Sequence, residues 1–140
     1  MTFLEKSAWV MIAALIVSGA VYANAVLAMS SAMGAIAPPN VGLIIGVTIV
    51  IIVIAIFGHT VAALMNTSDA EAPEDERDRI VAWRAGNMSN YILSLSVMLG
   101  LSLYALTGVG NLLFHVLVGG LVIAQIIEYA LTIVFYRRGV

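Results

Sequence analysis

Glu128 and Gln125 lie three residues apart in an otherwise apolar run, 111–136. At 3.6 residues per turn their side chains project within about 60° of each other, with Thr132 between them. If Phe135 marks the edge of a bilayer, Glu128 sits ~10 Å inside the hydrocarbon at ~1.5 Å per residue. A carboxyl group at that depth has to find a partner, take up a proton or line water. His59 lies ~6–9 Å in from the end of another apolar run, 41–65, and Asn90 enters a third, 86–107, at a similar level. These four residues, His59, Asn90, Gln125 and Glu128, form a predicted intramembrane polar cluster. Such a cluster could be structural, with the carboxyl protonated or held by His59 or by Arg84 reaching inwards. It could also form a proton- or cation-coupled binding site, or meet a lipid head group or a partner subunit.

A second polar group falls near the opposite surface: Asn24 and His115, with Tyr104 and Asn111 close in register. The chain has two histidines, and depth separates them. Two axial histidines must reach one iron from one level, so a single chain cannot clamp a haem between His59 and His115. Single-histidine ligation of a haem or pigment stays open. The chain has no cysteine, which excludes disulfides, thiolate metal sites and thiol catalysis. Phosphate-cradling glycine loops, nucleophile elbows and zinc-protease signatures are absent. The chemistry points away from an enzyme, and no cofactor other than lipid is expected.

The elements that carry these groups are membrane spans. Of 140 residues, 62% are hydrophobic and 10% charged, against ~45–50% and roughly a quarter in soluble domains. Mean hydropathy is +1.07, and the net charge of −2 argues against nucleic acid as a partner. Four spans are predicted, at about 8–29, 41–65, 86–107 and 111–136. The first apolar run follows Lys6 and is too long for the core of a cleaved leader, so it reads as a crossing. It is rich in small residues, Ala13, Ala14, Ser18, Gly19, Ala20, Ala23 and Ala28, which let helix backbones approach closely. Pro38 and Pro39 break the chain after it. The middle of the second run is dominated by isoleucine and valine. In water these would favour a strand, but a run this long in lipid must be helical, because only a helix satisfies its own backbone. Gly42 and Gly46 make a small-xxx-small pair near its start.

Residues 66–85 form the long polar segment. Pro73 suits a first helical turn, and Glu74, Asp75 and Glu76 complement the positive helix start. Glu74–Arg77 and Asp75–Arg79 are spaced for surface ion pairs of ~0.3–0.5 kcal/mol each. Ile80 and Trp83 continue as an interfacial stripe. A short amphipathic helix running into the third span is expected here. Glu74, Asp75, Glu76, Arg77, Arg79 and Arg84 together are a predicted docking surface for a cytoplasmic protein, beside the simpler reading of a solvated helix start. With four spans, all six cations, Lys6, Arg77, Arg79, Arg84, Arg137 and Arg138, fall on one side. The positive-inside asymmetry then places both termini in the cytoplasm.

Two segments resemble a known family. One is Glu74-Asp75-Glu76-Arg77-Asp78 followed by Ile80, Arg84 and a span opening near Tyr91. The other is His115 and Glu128 followed by Tyr136-Arg137-Arg138-Gly139. Together they are similar to small bacterial four-span inner-membrane proteins of unknown function. The likeness covers roughly the second half of the chain and implies no reaction, cofactor or substrate. The small multidrug transporters, also four-span, carry their essential glutamate in the first span, where this chain has none. The expectation is therefore an all-α, antiparallel four-helix membrane bundle. It would be a non-catalytic accessory or regulatory protein of a bacterial inner membrane, acting as a homo-oligomer or within a larger complex. The alternatives are a proton-coupled small-solute transporter using Glu128 and His59, and a pigment- or haem-binding subunit.

Overall fold

In the computed structural model the chain is all-α, and residues 3–64 and 76–139 are described. The helices are α1 (Phe3–Met33), α2 (Val41–Leu64), α3 (Glu76–Thr107) and α4 (Gly110–Arg138). All four are long and apolar enough to cross a membrane. Three of the helix ends have a local cause. Gly34 takes a left-handed φ of 64° and stops α1, a conformation open to glycine and costly for other residues. Asn40 caps α2: its side-chain oxygen accepts from Leu43 N at 2.9 Å and its carbonyl from Ile44 N at 3.1 Å. Gly139, with φ 72°, closes α4 by donating to the Phe135 carbonyl. From Glu76 onward the short amphipathic helix expected to run into the third span and that span are one unbroken helix of 32 residues, α3, with Ile80 and Trp83 exposed along it. Pro73 lies outside the described residues.

The helices pack in the order α2, α1, α4, α3. Packed neighbours are antiparallel, because side chains near the start of one meet side chains near the end of the next. Ser7 of α1 meets His59 of α2, Glu5 of α1 meets Arg137 of α4, and Asp78 of α3 meets Tyr136 of α4. All six cations therefore sit toward one end of the molecule. The central α1 presents Ala8, Ile12, Leu15 and Ser18 as a buried stripe, at the three-to-four-residue spacing of a helix face. Val81, Ala85, Ser89 and Gly100 are the buried residues of α3. Ala8, Ile12 and Ile133 form the hydrophobic cluster between α1 and α4, with Ile126, Tyr129 and Ala130 packed around it.

Two glycines set the closest crossings. A Cβ on Gly120 would lie 2.1 Å from Ser96 Oγ, and one on Gly58 would lie 2.2 Å from Val10 Cγ1. The Gly42/Gly46 pair does not act this way: a Cβ on Gly46 would meet nothing within 4 Å. Of the small residues in α1, Ala8, Ala14 and Ser18 are buried, whereas Ala13, Ala20, Ala23 and Ala28 face outward. The outer helices are barely covered. In α2 only Ala62 is buried, and large apolar side chains such as Phe57 (70% exposed) and Leu106 (83% exposed) point away from the protein.

Candidate functional site

The polar groups gather at the two ends of the helices. At the cation-bearing end, Arg137 Nε donates to Glu5 Oε1 at 2.7 Å. Glu5 is 7% exposed, so this pair fastens α1 to α4. Tyr136 donates its hydroxyl proton to Asp78 at 2.5 Å. Arg77 Nη2 donates to the Tyr136 carbonyl at 2.9 Å, and its guanidinium lies 5.6 Å from the centre of the Tyr136 ring. The cation–π geometry and the hydrogen bond together lock the start of α3 onto the end of α4.

Behind this joint lies a cleft of about 720 Å³ between α1 and α3, with α4 as its floor. Glu128 lines it, two turns deeper than Tyr136, or ~12 Å at ~1.5 Å per residue. Glu128 Oε2 accepts from Ser89 Oγ at 3.1 Å and from Gln125 Nε2 at 3.2 Å. Gly86 leaves the other oxygen room: a Cβ there would stand 3.8 Å from Oε1. Among the described residues Glu128 has only these neutral side-chain partners and no salt bridge.

The structure thus brings Gln125 and Glu128 together but separates them from the other two predicted members. His59 Nδ1 hydrogen-bonds Ser7 at 3.0 Å, on the α1–α2 seam. Asn90 faces outward on α3; Ser89, its neighbour, is the residue that turns inward to the carboxylate. Sequence reasoning missed Ser89 because a serine inside a helix usually bonds its own backbone, as Ser89 also does to the Gly86 carbonyl at 3.0 Å. It missed Glu5 for a similar reason, since a carboxylate in a first helical turn reads as a solvated charge.

At the opposite end His115 is a latch. Its Nε2 meets the Ala37 carbonyl at 2.8 Å, which can only accept, so Nε2 carries the proton. In the neutral ring Nδ1 then accepts from the Tyr22 hydroxyl at 2.7 Å. Asn111 donates to the Ile36 carbonyl at 3.1 Å. The loop between α1 and α2 is thereby held against the start of α4. Asn24 does not join this group; its amide donates to the Ala20 carbonyl of its own helix at 2.8 Å. Both ring nitrogens of His115 are engaged, which leaves neither free for an iron. His115→Phe keeps the ring but strands the Ala37 carbonyl and the Tyr22 hydroxyl. It should lower stability by ~2–4 kcal/mol, and Tyr22→Phe by ~1 kcal/mol. Thermal unfolding in mild detergent measures both; equal losses would remove the Ala37 half of the latch.

Of the predicted docking residues, Glu74 and Asp75 lie outside the described residues, and with them the Glu74–Arg77 and Asp75–Arg79 pairings. Arg77 is occupied at the Tyr136 joint. Glu76 and Arg79 stand on the cleft wall, and Arg84 is exposed. Against protein-family models, curated proteins and solved structures, the chain finds no match.

Proposed function

We propose that the protein is a non-catalytic accessory subunit of a bacterial inner membrane, crossing it four times with both termini in the cytoplasm and working as a homo-oligomer. The gathering of Lys6, Arg77, Arg79, Arg84, Arg137 and Arg138 at one end supports that sidedness. The resemblance to small bacterial four-span proteins supports the compartment.

One observation carries the assembly: α3 turns Asn87, Asn90 and Ser94 outward. Exposed isoleucine, leucine and phenylalanine need no partner in lipid, so the bare faces of α2 call for nothing. An amide facing hydrocarbon does need one. Measured back from Thr107, a hydrocarbon core of ~30 Å ends near Asn87, which leaves Asn90 and Ser94 inside it. Asparagine carries both donors and an acceptor, so two copies of this face can satisfy each other across a two-fold axis. Because the chain has no cysteine, Ser94→Cys supplies a single thiol on that face. Oxidation in native membranes should give a covalent dimer from Ser94→Cys and none from Ile49→Cys on the uncovered side of α2. Equal cross-linking at both positions would mean random collision.

The exposed Arg84 leaves room for a cytoplasmic partner as well. Reversal of Arg77 would loosen the joint with Tyr136 in addition to any docking, so Arg84 is the cleaner test of such a partner. A second reading, proton-coupled transport of a small solute, draws support from the placement of Glu128 on an open cleft. His59 would act there only through Ser7, which lines the same cleft.

A further inference from the structure

We infer that the cleft over Glu128 binds an ammonium group carried on an apolar body. The cleft contributes three carboxylates, Glu76, Asp78 and Glu128, against one guanidinium, Arg79. Asp78 is held by Tyr136. Glu128, at the deep end, accepts from two neutral donors on one oxygen, and its Oε1 accepts from none among the described residues. An anion would be repelled by this lining, and a neutral polar ligand would gain nothing from its excess of acidic groups. A small metal ion is also a poor fit, since no three His, Cys, Asp or Glu side chains converge among the described residues, and hard cations demand several oxygen ligands at once.

The walls decide for an organic cation. Trp83 and Tyr129 line the same space, beside Tyr136, whose ring already carries Arg77, and aromatic faces attract alkylated ammonium groups through their quadrupole. Leu4, Ala8 and Ile80 complete an apolar side. A volume of about 720 Å³ is in the range that takes a drug-sized molecule. Ammonium on an apolar body has two sources, a free amphiphilic amine and the head group of an aminophospholipid.

The site shares Glu128 with the transport reading but requires binding alone. Cation binding without proton flux in proteoliposomes would end the transport reading and leave the site standing. The test uses the full chain in neutral detergent, titrated with benzyltriethylammonium by calorimetry, and by Trp83 fluorescence in the Trp9→Phe background. Saturable binding is expected. Glu128→Gln should weaken it by tenfold or more, as expected when one partner of a desolvated charge pair is lost. Trp83→Leu should weaken it roughly threefold or more; Trp83 is 68% exposed, so this variant leaves the core intact. Benzenesulfonate should not bind. Unchanged affinity in both variants, or equal uptake of benzenesulfonate, overturns the site. Native mass spectrometry after extraction with phosphatidylethanolamine separates the sources. Lipid retained on the wild type and lost from Glu128→Gln assigns the head group, and equal retention alongside saturable benzyltriethylammonium binding assigns a free amine.

Discussion

Gly120→Ala should loosen the whole α3–α4 seam, at a cost of about 2–3 kcal/mol, by adding a single carbon. The added Cβ would stand 2.1 Å from Ser96 Oγ and 2.3 Å from Ser96 Cβ, and both belong to a side chain too short to swing clear. One helix then has to move. Helix pairs in lipid are held mainly by dispersion over closely fitted surfaces, and dispersion falls off within an ångström of separation. Ser96→Gly removes both clashing atoms, leaving Ser96 Cα as the nearest neighbour at 3.7 Å. The double variant Gly120→Ala/Ser96→Gly should therefore recover most of the loss, with a coupling of about 1–2 kcal/mol between the two positions. Unfolding in detergent for the four members of the cycle measures it. Additive losses would show that the seam relaxes elsewhere. The damage should also reach the cleft, because Ser89 holds Glu128 from the same face of α3.

Much of this architecture was legible because it follows from solvent and period. Long apolar runs, Pro38-Pro39 and six one-sided cations point to four antiparallel helices whatever the details of packing. Which face of each helix turns inward was harder to read. In water, apolar residues mark the inner face; α2 is apolar all round, so nothing in its sequence separates the side that meets α1 from the side that does not. Gly42 and Gly46 carried the signal usually trusted for a close crossing, yet the crossing falls at Gly58, where Val10 happens to oppose it. Size alone cannot tell a small residue at a contact from a small residue facing away. The polar cluster was half legible for the same reason. Depth along the axis placed His59, Asn90, Gln125 and Glu128 at similar levels, but depth carries no azimuth. Gln125 and Glu128 share a helix, so their relation was fixed by the 3.6-residue period. His59 and Asn90 belong to other helices, and their rotations are set by Ser7 and by the inward turn of Ser89.

That outward rotation of Asn90 leads to the second large expected effect. Asn87→Leu and Asn90→Leu together should weaken the proposed self-association by at least roughly tenfold while leaving the monomer folded. Neither amide hydrogen-bonds a described residue, and both are exposed, so the substitutions remove nothing from the interior. Leucine in lipid is as well solvated as any neighbour, and the monomer should gain slightly where an amide faced hydrocarbon. The dimer loses its bridging hydrogen bonds. At ~0.6–2 kcal/mol for each such bond between membrane helices, and with a two-fold axis doubling every loss, the association constant should fall by roughly tenfold to a thousandfold. Energy transfer between labelled copies diluted in lipid vesicles reads the constant directly. Asn90→Gln, which keeps both donors and the acceptor on a longer arm, should fall between wild type and the leucine pair. A double leucine variant that associates as tightly as the wild type would place the contact on another face, with Asn90 then satisfied by water at a thinned membrane edge. Tyr91, 76% exposed beside this stripe, separates those outcomes through Tyr91→Trp in a background without Trp9 and Trp83: buried against a second copy, that single tryptophan is shielded from an aqueous quencher, and at a wet edge it is not.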